Sequence, residues 1–297
     1  MTTEIRSSNH VRSSALAGVS PPAYIQAVNI TAALPSRAVI AVSGPEARSF
    51  LNGLLTQEVE TLAAGQLRFS GLLTPQGRLL YDLFVAAVED ALLLDVAAEH
   101  RDAILMRLTM YRLRAKVKLA ASDLKVFARF PAGEVEAGDF EDPRLPALGG
   151  RLYAADHAVT ATEDDYEAHR LALGVPGPAD WGTDKTYPIE ADFDLLNGID
   201  FKKGCFVGQE TTSRMKRRGT IKNRMLPIAF DGPPPAFGAE VLAGELRAGE
   251  VLSGRDGRAM ALLRLDRIEG ADLTVDGRPV TVDWPDWVPK PVTPDEA

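Results

Sequence analysis

Hydrophobic and polar positions along this chain change period several times, and each change predicts an element. Alternating apolar and β-branched residues at 24–30 and 37–42 read as strands separated by Pro35-Ser36. Ser43-Gly44-Pro45-Glu46 then reads as a helix start, because proline fits the first turn and a carboxylate suits the positive end of the helix. Ala47, Phe50, Leu51, Leu54 and Leu55 follow at helical spacing, which predicts an apolar face to about Gln57. Runs at 67–73, 79–88 and 91–96 predict an antiparallel meander turning at Thr74-Pro75-Gln76-Gly77-Arg78 and at Glu89-Asp90.

A helix is expected over 99–111, with Ile104, Leu105, Leu108 and Tyr111 on one side. Basic and apolar residues then alternate from Arg112 to Leu119, as in a strand with one charged face. The pattern restarts near 121–123 with a strand at 124–130, a long loop over 131–150 and short strands at 151–155 and 159–162. Asp164-Asp165 opens a helix carrying Tyr166, His169, Arg170 and Leu173, which stops at Gly174 with Pro176 beyond. After an irregular stretch to residue 198 the chain changes character. Short runs at 221–230, 240–243, 250–253, 258–265 and 272–275, with Asp256-Gly257 and Asp276-Gly277 as hairpin turns, predict a small antiparallel barrel. The class is therefore α+β.

Composition narrows the function classes. The chain has 297 residues, 45% of them hydrophobic, a net charge of −8 and one cysteine. That is enough for two or three globular domains, and it excludes an internal disulfide or a metal site built from several thiolates of this chain. A reducing compartment follows, the cytoplasm or, for a eukaryotic source, the mitochondrial matrix. The acidic balance argues against direct nucleic-acid binding. No membrane partner is expected, because the most apolar window, 80–98, is broken by Asp82, Glu89, Asp90 and Asp95. Residues 1–22 read as a mobile tail, since Glu4 and the lack of an amphipathic stripe do not suit a leader.

The candidate chemistry gathers around Lys202-Lys203-Gly204-Cys205-Phe206-Val207-Gly208-Gln209-Glu210. Helical character from Phe206 onward and two neighbouring ammonium groups favour a thiolate at Cys205. The four histidines, His10, His100, His157 and His169, lie in other segments, so a cysteine hydrolase lacks its base. From Lys202 to Arg224 eight cations face one acid, Glu210, which suits a pocket for an anion. Asp82, inside the apolar run 79–85, either faces solvent or meets a ligand in a cavity.

The block from Lys203 to Glu210, with Arg214 and Arg218-Gly219 after it, resembles the signature of the YgfZ family, folate-binding relatives of the glycine-cleavage aminomethyltransferase (GcvT) that support iron–sulfur cluster assembly. Weaker similarity covers 43–47, 50–57 and 73–78. The resemblance implies a three-domain GcvT-like cloverleaf around a central folate cavity, divided as 23–120 plus 175–220, 121–174, and a C-terminal β-barrel at 221–297. It implies tetrahydrofolate as ligand, with Lys203, Gly204, Gln209, Glu210, Arg214, Tyr166 and Glu190 as its contacts and Asp82 near the folate nitrogens. The implied partners are an A-type iron–sulfur scaffold or carrier and a glutaredoxin, with no metal stably held by this chain alone and Cys205 as its functional thiol, either one cluster ligand shared with the partner or part of a mixed disulfide. An effect on tRNA modification would be indirect. The alternative is a tetrahydrofolate-dependent aminomethyltransferase or related one-carbon transferase. Where some family members carry a tryptophan before the inner strand, this chain has Arg37; Cys205, absent from the aminomethyltransferases, favours the assembly branch.

Overall fold

A computed structural model describes residues 30–133, 136, 138–219 and 221–290. Three β-structures organise it. The first is a five-stranded antiparallel sheet in the order β3 (Leu67–Leu73), β4 (Leu79–Ala87), β5 (Leu92–Ala97), β2 (Arg37–Ser43), β6 (Lys118–Ser122). The second is four-stranded, β1 (Ile30–Ala33), β7 (Lys125–Phe130), β9 (Gly150–Ala154), β8 (Phe140–Glu141), so its edge strand β1 comes from well before the rest of it. The third is a closed six-stranded barrel, β10 (Asn223–Ala229), β13 (Arg258–Arg264), β12 (Leu246–Arg255), β11 (Glu240–Ala243), β14 (Leu273–Val275), β15 (Arg278–Val282).

The predicted meander is present, and nearly all of β4 and β5 is buried because both faces of this sheet are covered. One face packs with α1 (Ala47–Asn52) and α2 (Arg101–Arg112) through Ile40, Leu51, Leu83, Ile104 and Leu108. The other joins the second sheet through Phe69, Phe84, Ala128 and Tyr166. The helix α3 (Glu163–Ala172) begins with a reciprocal Thr162/Asp165 capping box.

Four expectations need correction. The helix after Pro45 stops at Asn52, and Leu54 and Leu55 are buried by the turns that follow. The basic stretch from Arg112 is not a strand: Arg112 ends α2, Leu113 turns the chain at φ 48°, and pairing starts only at Lys118. Residues 159–162 form only an isolated bridge, Ala161 to Ala32. The loop over 131–150 contains β8. Residues 24–29 of the first expected strand lie outside the described residues. The barrel gains β15 beyond the five runs read from the pattern, paired with β14 across the Asp276-Gly277 turn.

Candidate functional site: a mounted cysteine and a buried charge network

The segment from Asp200 to Gly208 is held on both sides of its cysteine. Asp200 donates its N–H to Thr56 O at 3.0 Å, and its carboxylate accepts from Lys202 N at 2.7 Å. Lys203 turns inward and donates its ammonium to three converging carbonyls, Asn52 at 2.7 Å, Leu55 at 2.8 Å and Gln57 at 2.9 Å. These are carbonyls left over where α1 ends and the chain turns, so a charge-assisted donor there satisfies groups the short helix cannot. Burial pushes Lys203 down to about 8, against the pull of Glu58, Asp200 and Glu60. Phe206 is buried beneath the same ammonium, 5.3 Å from ring centre to nitrogen. Between these two anchors Gly204 and Cys205 are exposed.

On the far side, α4 (Gln209–Arg218) is seated by two glycines from distant parts of the chain. Gly208 caps the helix at φ 84°, where a Cβ would lie 2.7 Å from Thr74 O. Gly77 sits opposite at φ 82°, where a Cβ would lie 2.9 Å from Thr211 Cβ. The Thr74–Gly77 turn and the helix start therefore fit only without side chains at these positions. This corrects the expected helix start. α4 begins four residues after Cys205, and of the two lysines only Lys202 remains at the surface beside the thiol.

Arg214 is exposed on α4, as are Glu210, Lys216 and Arg217, and Gln209 is half-buried. Lys216 pairs with Asp194 at 3.2 Å and lies over Phe201. Phe201, Gln209, Ser213 and Arg217 line a groove of 480 Å³ along this face. A larger groove of 860 Å³ lies beyond Lys202, between Gln57, Arg68, Asp142 and Asn197. Among the described residues no three His, Cys, Asp or Glu side chains gather to hold a metal. His100 lies tilted against Tyr81, His157 meets Phe127 edge-on and His169 stacks on Phe130; His10 lies outside the described residues.

Asp82 is buried, and its carboxylate accepts from Arg37 at 2.9 Å. Arg37 also bonds Asp95 through Nε at 2.6 Å, and Arg151 takes the other oxygen of Asp95 at 2.6 Å. Asp142 holds Arg144 bidentately at 3.0 and 2.7 Å, and the Tyr166 hydroxyl accepts from Arg144 at 2.9 Å. Three aspartates thus meet three arginines in a closed, neutral network between the two sheets. Burial alone would raise Asp142, but Arg144 and Arg151 hold it below the usual carboxylate range. Phe84 lies under Arg151, with the guanidinium 3.8 Å from the ring centre. Sequence reasoning missed Asp95, Arg144 and Arg151 as members of this set; for Asp95 the signal was one charged residue inside the apolar strand Leu92–Ala97, whereas Arg144 lies in the loop after β8.

Glu190 is engaged elsewhere, accepting from Tyr187 N and the Asn223 amide. Asp82, Tyr166 and Glu190 each make polar contacts within the chain. Arg37 bonds one oxygen of the Asp82 carboxylate, Oδ2, the Tyr166 hydroxyl accepts from Arg144, and Glu190 caps a turn.

Comparison with known proteins bears on what this mounted thiol is. The human mitochondrial iron–sulfur cluster assembly factor IBA57 is 30% identical over 277 residues, covering 80% of this chain and 78% of the human protein. The chain belongs to the IBA57 family. The mouse protein is 31% identical over 279 residues, with 80% of this chain and 78% of the relative covered. The mitochondrial IBA57 homologue of Neurospora crassa is 32% identical over 255 residues, which span 74% of this chain but only 58% of that longer protein. IBA57 membership is narrower than the YgfZ resemblance read from residues 203–219. The CAF17 C-terminal β-barrel domain family matches residues 222–290, the closed barrel described above. The fold is that of the glycine cleavage system aminomethyltransferase T from Bartonella henselae, at a TM-score of 0.71 and 20% identity over 88% of this chain and 87% of that one.

Proposed function

We propose that this chain assists iron–sulfur cluster assembly by presenting Cys205 as one ligand to a cluster whose other ligands belong to a carrier protein. The observation that carries this reading is the mounting of Cys205: an exposed thiol between two anchored neighbours, Lys203 and Phe206. Clusters held by cysteine take four thiolates, so a single sulfur serves only as a completing ligand. A rigid mount lowers the entropy lost when the sulfur is captured, which suits a ligand offered across an interface. The basic face of α4 favours a partner with an acidic rim around its cluster. The relatives' names, iron–sulfur assembly factors of mitochondria, agree with this role and with a reducing compartment such as the matrix or the cytoplasm. No step passes through folate.

The test mixes the purified chain with an A-type carrier holding a cluster. A coloured complex should co-elute in gel filtration with the parent chain and not with Cys205→Ala. Equal co-elution of the variant would overturn the ligand role. The one-carbon alternative predicts instead that Asp82→Asn abolishes turnover while Cys205 is dispensable.

A further inference from the structure

The outer side of α2 is apolar where a surface helix is normally polar. Ile104 and Leu108 point into the core, and Met106, Met110 and Leu113 fall on the opposite side of the helix and its exit. They are 66%, 67% and 87% exposed, and together they are three of the seven large exposed apolar side chains among the described residues. Leu113 is also held at φ 48°, a conformation a leucine rarely adopts, with its side chain turned out.

Charge on the same surface is one-sided. Residues 103–118 carry five cations, Arg107, Arg112, Arg114, Lys116 and Lys118, and no acid, in a chain of net charge −8. Arg112, Arg114, Lys116 and Lys118 line a groove of 500 Å³ with Gly44 and Pro45. The loop is fixed in place: Lys116 N donates to the Glu46 carboxylate, and the Arg112 side chain donates to Val117 O at 3.3 Å. Glu46, the acid facing this loop, is thereby engaged. The surface is also distinct from the thiol mount. Glu46 stands at the front of α1 and the Lys203 ammonium at Asn52 O, its end, about 9 Å apart along a six-residue helix.

We infer that the outer face of α2 and the loop 112–118 form a docking surface for an anionic lipid bilayer. Met106, Met110 and Leu113 enter the interfacial layer, and the cations of the loop hold headgroup phosphates. A bilayer accepts exposed apolar side chains flanked by cations without a matched shape, and its uniformly negative surface complements a run of five cations without acids. The contact is peripheral, because no helix among the described residues is long and apolar enough to cross a membrane. It departs from the expectation of no membrane partner, which rested on the absence of a spanning segment.

The full chain should co-sediment with vesicles of phosphatidylcholine containing about one-third phosphatidylglycerol and not with pure phosphatidylcholine, and about 0.5 M salt should release it. Arg114→Ala with Lys116→Ala should weaken vesicle binding about 30-fold, from about a factor of five per cation. Leu113→Glu should abolish it. These side chains are at the surface, so circular dichroism melts should match the parent. Equal binding to both vesicle types, binding to neither, or binding indifferent to these substitutions would overturn the inference. Capture of soluble poly-glutamate with vesicles left unbound would overturn it in favour of an acidic protein.

Discussion

Lys203→Met removes the ammonium that ties the cysteine segment to the end of α1 while keeping an unbranched chain of similar length. Three bonds are lost, to Asn52, Leu55 and Gln57, at 2.7 to 2.9 Å. A bond to a charged donor contributes about 1.5–3 kcal/mol net, so the three together bound the effect at ~5–9 kcal/mol. Two terms reduce it: the cost of desolvating the ammonium, visible in its downward pKa, and water reaching carbonyls near the surface. About 3 kcal/mol is the expected loss, a large fraction of the 5–15 kcal/mol typical of a whole domain. Urea unfolding followed by tryptophan fluorescence measures it. Lys203→Arg should lose most of the same amount, because a planar guanidinium cannot aim three donors at carbonyls converging on one point. A maleimide reagent should then label Cys205 in native Lys203→Met faster than in the parent, since the segment has lost one anchor. A stability change within about 0.5 kcal/mol, with unchanged labelling, would refute the mounting argument.

Arg37→Met should cost about 3–5 kcal/mol in urea unfolding by leaving Asp82 buried without its partner and Asp95 with Arg151 alone, and adding Asp82→Asn should recover part of that; no recovery would contradict the pairing. Gly208→Ala should destabilise by more than about 2 kcal/mol through its positive φ and the Thr74 carbonyl. Gly204→Ala, with open space around it, should stay within about 0.5 kcal/mol in the same urea titration. Glu167 loses solvation on burial, but Arg170 at 2.6 Å brings its carboxyl below the usual 4.5. A depressed folded value means stability present above the unfolded value and lost as pH falls through the folded one. Glu167→Gln should therefore flatten the acid limb of stability against pH below about 4.5, and an unchanged limb would refute the pairing.

Periodicity was a good guide wherever one face of an element is buried. The β3–β5 meander, α2, α3 and the barrel all lie where alternation or helical spacing puts them, because apolar burial dominates their formation. It failed where other forces decide. The basic loop after Arg112 alternates like a strand, yet Leu113 turns the chain, and its apolar residues do not all face the core. The same ambiguity hid the docking tip, since the helical pattern cannot tell an outer apolar stripe from an inner one. At the thiol site the block around Cys205 was legible, but the direction of Lys203 was not. Its three acceptors are carbonyls about 150 residues away in the chain, and a carbonyl acceptor leaves no mark on residue type. Arg37 was visible only as a departure from the family pattern. Its meaning came from β2, β4 and β5 bringing Asp82 and Asp95 to either side of it.

The most direct test of the account is the visible absorption and ligand count of the cluster in a complex of this chain with an A-type carrier. The account predicts a spectrum that shifts when Cys205 is replaced by serine, and a chain that is colourless without the carrier. A cluster spectrum identical in the parent and Cys205→Ser complexes would contradict it.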